Sequence, residues 1–207
     1  MSAERGYHHG SLRAALVRAS FDLLAECGLH GFSVAAVARR LGVSSAAPYR
    51  HFADRAHLLS AVSADAARDL RAAIIAAAGA AGPDPAARLA SVAGAYLRYV
   101  IRTGAGFQII YAAELYAVPD DARREQTRAL MTTLLELATA TGSASYQEAV
   151  LLVEETIAVA HGYTSLVQDG FFSRASTSVD AIAARATEAA RALIAAAGRP
   201  SPPTSPG

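Results

Sequence analysis

"SVAAVARRLGVSSAAPYRHFADR", residues 33–55, holds two short helix-forming segments parted by a glycine turn. Ser33 can cap the first of them, with Phe32 before it and Val37 four residues inside, the spacing of a hydrophobic staple. Val34, Val37, Ala38 and Leu41 then form its buried stripe. Gly42 tolerates the positive φ that ends this helix, and Val43 turns inward. Ser44 or Ser45 is expected to cap the next helix, which can extend only to about Phe52 before Asp54 caps another. Counted from Ser45, Pro48 is the third helical residue, where its missing amide would be unpaired anyway. Two short helices meeting at a three- or four-residue turn, with small Ala38 at their contact, predict a helix-turn-helix.

A helix that enters a major groove needs small residues at its leading end, so that the backbone can approach, and polar residues behind them. The stretch "SSAAPYRH" supplies both. Ser44 and Ser45 can bond a phosphate or a base edge, and Ala46 and Ala47 can touch a thymine methyl. Tyr49 and His51 can donate to phosphates, and Arg50 can pair with a phosphate or a guanine. Arg55 adds its charge to the positive end of the following helix, and Ser33 completes the candidate DNA contacts.

Working outward, the charge balance fits an anionic partner for this end of the chain. Residues 1–57 carry seven arginines against four acids, a net of +3 within a whole of +1, together with five of the six histidines. The first helix is expected over about Ser11–Cys27, with Leu12, Leu16, Ala19, Leu23 and Cys27 on one buried face and Gly28 as its stop. Cys27, the single cysteine, excludes an internal disulfide and reads as a small core residue. A long helix from Arg55 to about Ala78 carries Leu58, Val62, Ala66, Leu70 and Ile74 and links this module to a second body. After the break "AGAAGPDP" at 78–85, five more helices are expected near 86–103, 106–117, 120–140, 144–169 and 178–197. Alanine-rich composition and 53% apolar residues make the fold class all-α.

The segments "YHHGSLR" and "FSVAAVARRLGVSSAAPYRHFADRAHLL" together resemble the DNA-binding domain of the TetR family of bacterial transcriptional regulators. The matching positions are Ser33, Ala38, Gly42, Val43, Ser44, Tyr49, His51, Phe52, Asp54 and Arg55. Two departures are an arginine for the common lysine at 55 and alanine for the common acid at 36, which removes a capping box. Further on, "GAGFQIIYAAELYAVPD" and "AVAHGYTSLVQDG" are similar to a subgroup with a Trp-His-Gly signature, with Ala160 standing at the tryptophan position beside His161 and Gly162. The resemblance implies about nine helices. A three-helix DNA-binding domain would occupy residues 1–57, and a helical effector-binding and dimerisation domain 58–198, of which 58–78 is the linking helix. Residues 199–207, "RPSPPTSPG", are expected to form a disordered tail.

The same resemblance implies a homodimer on a palindromic operator in double-stranded DNA, most simply as a repressor, and release by a small-molecule effector. The sequence supports a dimer independently, because the helices expected at 144–169 and 178–197 are long, the latter has Val179, Ile182, Ala186, Leu193 and Ile194 near one face, and a paired four-helix interface would bury those stripes. Aromatic walls with polar tips for an effector pocket come from Tyr99, Phe107, Tyr111, His161 and Tyr163, with Glu114 able to meet a cationic group. Tyr96, Tyr116 and Phe171 form a wider set.

The competing classes are an all-helical enzyme and a helical dimer that binds no DNA. Glu-x-x-His and His-Glu-x-x-His spacings and a phosphate loop are absent from the sequence, so no catalytic residue, cofactor or metal is expected. His8, His9, His51 and His57 lack the nearby cysteines or clustered acids of a metal site. No apolar run approaches the roughly 20 residues that cross a bilayer, and the first residues lack a signal peptide's apolar core, so a cytoplasmic protein without membrane contact is expected.

Overall fold

The computed structural model describes residues 9–143, 145–173 and 177–197, with side chains from residue 12 onward. The expected tail at 199–207 lies outside the described residues. Among the described residues there are eight α-helices and no strand. They are α1 (His9–Gly31), α2 (Val34–Arg40), α3 (Arg55–Ala80), α4 (Pro85–Thr103), α5 (Phe107–Ile110), α6 (Asp121–Thr139), α7 (Tyr146–Gln168) and α8 (Val179–Ala197). Two 3-10 turns, Pro48–Arg50 and Ala113–Leu115, complete the set.

The all-α reading holds, and the helices fall close to where periodicity and caps put them. The Ser33 hydroxyl accepts from the Ala36 amide 3.2 Å away and starts α2. The Asp54 carboxylate accepts from the His57 amide at 2.9 Å and starts α3. Gly42 takes φ +67°, the left-handed turn that the helix-turn-helix requires.

Two expected helices come out differently. The segment after Gly42 is not an α-helix capped by Ser44 or Ser45; Ala47 occupies the cap position with no side-chain bond. Its backbone bonds run Ala47 to the Ser44 carbonyl (3.0 Å), Arg50 to Ala47 (3.3 Å) and His51 to Pro48 (2.9 Å). Pro48 has no N–H to reach back four residues, so the bonding runs in three-residue steps as far as His51, and one four-residue bond, from the Phe52 amide to the Pro48 carbonyl (3.0 Å), closes the segment. The helix expected over 106–117 is likewise two pieces, because Ala112 leaves the helical region at φ −56° and ψ 129°.

The chain folds into two compact units. The first joins the residues up to Asp69 with Arg102–Arg128. Leu16 and Leu24 of α1, Val37 of α2, Leu58 and Val62 of α3, and Ile109 and Ile110 of α5 are buried in it. Gly104 is built into this unit: a Cβ there would stand 2.4 Å from the Ala25 amide nitrogen of α1. The second unit joins Leu70–Ile101 with the residues from Ala129 onward. Here Gly94 of α4 faces α8, where a Cβ would lie 2.5 Å from the Thr187 hydroxyl and 2.9 Å from the Ala183 carbonyl oxygen.

Cys27 is exposed, not core. Periodicity sets its azimuth on α1, but the residue sits beside the Gly28 break, near the end of the helix, and its thiol donates to the Leu23 carbonyl at 3.0 Å. The stripe on α8 is also used differently from the expectation. Ile182, Ala186 and Ile194 are buried within their own chain, while Val179 stays exposed. Exposed apolar surface appears on α7, the other helix of the expected interface, at Leu151 and Leu166.

Candidate nucleic-acid interface

The α2–turn segment presents its polar residues outward because its apolar ones are anchored. Val34, Val37 and Ala38 are buried beneath α2, and Pro48 and Phe52 hold the two ends of the 3-10 turn. Between these anchors Ser44, Ser45, Ala46 and Arg50 are exposed, and Tyr49 shows 55% of its surface. Ala47 and His51 are half-buried, as is Ser33, whose oxygen already accepts from α2. The structure therefore gathers Ser44, Ser45, Ala46, Tyr49 and Arg50 on one short, solvent-facing stretch. Positions 33–53 contain three arginines and no Asp or Glu, so no internal carboxylate competes with a phosphate there.

Arg39, exposed at the end of α2, was missed in reading the sequence. It has no ion pair among the described residues, whereas its neighbour Arg40 is held by Glu26 through bonds of 2.5 and 2.6 Å. The signal was available, since an arginine doublet stands at the end of α2 with only Leu41 between it and the turn glycine Gly42. Arg13 packs against the same segment, with its guanidinium carbon 5.0 Å from the Phe52 ring centroid.

Arg55 is engaged inside the first unit. Its Nη2 donates to the Leu29 carbonyl at 2.9 Å, its Nε to the Phe32 carbonyl at 3.3 Å, and its Nη1 to the Glu114 carboxylate. Asp54 next to it is held below the usual carboxylate range, first by the bond from the His57 ring and then by the His57 amide. The His57 ring nitrogen lies 2.9 Å from Asp54, while His8 and the side chain of His9 lie outside the described residues.

The six residues anticipated for an effector pocket fall into both units. Phe107, Tyr111 and Glu114 are in the first, where the Phe107 and Tyr111 rings are 5.6 Å apart. Desolvation, then the nearby Tyr116, pushes the Tyr111 hydroxyl up to about 12, and this buried oxygen has no hydrogen-bonding partner among the described residues. Tyr99, His161 and Tyr163 are in the second unit. Tyr99 is buried in α4, His161 lies with Nδ1 3.1 Å from the Tyr96 hydroxyl, and Tyr163 stacks on Phe172 at 6.4 Å. None of the six lines the shallow depression on α6 formed by Thr132, Leu135, Glu136, Thr139 and Ala140.

Comparison with known proteins gives two matches along the chain. Residues 16–62 match a family model described as bacterial regulatory proteins, tetR family, and residues 89–190 match a tetracyclin repressor-like C-terminal domain. A search of curated proteins finds no match. Among solved structures, a protein of unknown function from Rhodococcus sp. RHA1 is 28% identical, with a TM-score of 0.70 over 92% of this chain and 98% of its own. A possible TetR family transcriptional regulator from Streptomyces coelicolor A3(2) is 19% identical, with a TM-score of 0.61 over 89% and 97%. The multidrug binding protein EbrR, complexed with imidazole, is 24% identical, with a TM-score of 0.55 over 93% and 97%.

Proposed function

We propose, for a chain that belongs to the TetR family of bacterial regulatory proteins, that it acts as a ligand-responsive transcriptional repressor in the cytoplasm. It binds a palindromic operator as a homodimer and lets go when a small molecule occupies its C-terminal domain. The reading assigns DNA binding to residues 1–57 and effector binding and dimerisation to 58–198. The observation that carries it is the exposed stretch Ser44, Ser45, Ala46, Tyr49 and Arg50, set in a carboxylate-free helix-turn-helix.

Each element of that stretch has a task in a groove. Ser44, Ser45 and the exposed methyl of Ala46 approach the base edges, and Ala47 backs them. Tyr49, His51 and Ser33 donate to backbone phosphates, while Arg50 takes a phosphate or a guanine. A dimer places two such stretches one helical turn apart, which demands operator symmetry. The effector shifts the balance toward a conformation whose two reading stretches are wrongly spaced, a coupling of about 1–3 kcal/mol. Tyr99, His161 and Tyr163 of the second unit are its candidate contacts. That EbrR is a multidrug binding protein supports a largely apolar effector.

The test begins with genomic fragments retained by the purified protein, followed by affinity measurements on the operator they define. Wild-type affinity should fall steeply as salt rises. Arg50→Ala and Tyr49→Ala should each weaken binding by about 1–3 kcal/mol, and loss of a phosphate contact at Arg50 should flatten the salt slope by about 1. Unchanged affinity in both variants, or a wild-type protein indifferent to every duplex at low ionic strength, would overturn the reading.

A further inference from the structure

The first residue of α3 joins three parts of the first unit through one side chain. Two faces of the Arg55 guanidinium are bonded to the corner between α1 and α2, at the Leu29 carbonyl (2.9 Å) and the Phe32 carbonyl (3.3 Å), and its carbon lies 5.6 Å from the Phe32 ring centroid. That corner sets the course of α2, because Phe32 is buried and Ser33, the next residue, is the α2 cap. The third face is closed by Glu114 in the turn Ala113–Leu115.

This turn is itself anchored. The buried Ser63 hydroxyl of α3 donates to the Ile110 carbonyl at 2.9 Å, and the Ser60 hydroxyl donates to Asp120 at 2.8 Å. At the other end of the segment Gly104 sits against the α1 backbone at Ala25. Residues 104–120 are thus strapped to α1, which leads into the corner, and to α3, which carries Arg55, and Glu114 is the carboxylate they bring to Arg55.

We propose that Glu114 is a positioning residue for operator binding. Its carboxylate neutralises Arg55 and keeps the guanidinium fork closed on the α1–α2 corner, so that Arg55 orients α2 and the reading turn and does not contact a phosphate. The geometry favours this role over a phosphate contact, since three of the four groups around the fork are fixed acceptors or an aromatic face of the same unit. Lysine could not reproduce it, because a point charge on a flexible stem lacks the planar fork. Both partners are about one-third exposed (35% and 36%), so the pair contributes little to global stability; what it supplies is direction. The consequence for DNA rests on the reading of the preceding subsection, whereas the clamp itself does not.

The experiment compares full-length wild type, Glu114→Ala and Arg55→Lys by amide exchange and by operator affinity as a function of salt. Unchanged thermal midpoints establish that the variants fold. Both variants should lose protection at residues 29–36, and both should weaken operator binding about threefold to thirtyfold with an unaltered salt slope. If Glu114→Ala instead tightens binding and steepens the slope by about 1, Arg55 is a phosphate ligand restrained by Glu114, and the proposal falls. Full affinity in Arg55→Lys overturns it in the same way. A wild-type protein that binds no duplex removes the DNA-binding reading and the positioning role with it. Unaltered exchange at residues 29–36 defeats the clamp whatever the DNA result.

Discussion

A methyl group on Gly104 would lie 2.4 and 2.5 Å from the Ala25 nitrogen and Cα, at a residue whose φ is +66°. Both the backbone strain and the overlap oppose any side chain, and the neighbour is main chain that cannot rotate away. Gly104→Ala should therefore destabilise the protein by about 1–3 kcal/mol, read from the denaturant midpoint; a wild-type midpoint would show that α1 yields there. Tyr111 is the opposite case, a hydroxyl whose removal should help. Its buried oxygen has no hydrogen-bonding partner among the described residues, so Tyr111→Phe should leave stability unchanged or raise it by about 1 kcal/mol. A folded-state pKa raised from 10.0 to about 12 contributes stability that is intact below pH 10 and lost as pH rises through 12. The late-titrating component in an alkaline tyrosine titration should vanish in this variant, and its persistence would place the perturbed group elsewhere. At Asp120 desolvation pushes upward, but the Arg123 amide and the Ser60 hydroxyl outweigh it, and the carboxyl is held below its usual value. Ser60→Ala should cost about 1 kcal/mol. That difference is fully present above the unfolded carboxylate pKa of about 4 and disappears as pH falls through the lowered folded value.

Helix starts were the most legible feature at the scale of elements, because a cap is a local bond between residues three apart. Ser33 and Asp54 could be named from the sequence, and each makes the bond expected of it. Ser33→Ala should lower stability by about 1 kcal/mol in equilibrium unfolding, and it should also weaken operator binding, since the same bond fixes where α2 begins. Helix interiors were legible wherever an apolar stripe ran long, as in α3, whose Leu58, Val62, Ala66, Leu70 and Ile74 are all buried. What failed was local backbone choice over short spans. Pro48 could be placed in a first helical turn by counting from Ser45, but its missing donor leaves a 3-10 turn in place of a four-residue ladder. The break at Ala112 has no sequence mark at all, since neither glycine nor proline stands there. Its consequence reaches the start of α3, because the turn that follows is what delivers Glu114 to Arg55. The exposed stretch from Ser44 to Arg50 was visible as a run of polar and small residues after a glycine turn. The commitment of Arg55 was not, as its partners at Leu29, Phe32 and Glu114 lie 26, 23 and 59 residues away.

At the scale of the whole molecule, the surface left over by each unit indicates what the chain associates with. In the second unit α7 holds a long apolar window, interrupted by Glu154 and Glu155, yet only 28% of that window is buried. Leu151, Ala158, Gly162 and Leu166 are exposed at helical spacing along it. Gly162 is informative because its own chain gives it no reason to be glycine. A Cβ there meets nothing within 4 Å and its φ is not in the left-handed region, while a glycine in mid-helix costs about 1 kcal/mol relative to alanine. A second copy crossing α7 at this point explains both the missing side chain and the apolar residues above and below it, since small residues let two helices approach closely. The wild-type protein should therefore sediment as a dimer. Gly162→Leu should shift it toward monomer without lowering the stability of the isolated chain, and Leu151→Glu should do the same by placing a charge in the contact. Both variants should lose operator affinity more than either loses helicity, because two half-sites must be held at once. A wild-type monomer at micromolar concentration, or a Gly162→Leu protein that stays dimeric and binds the operator normally, would move the association surface off α7.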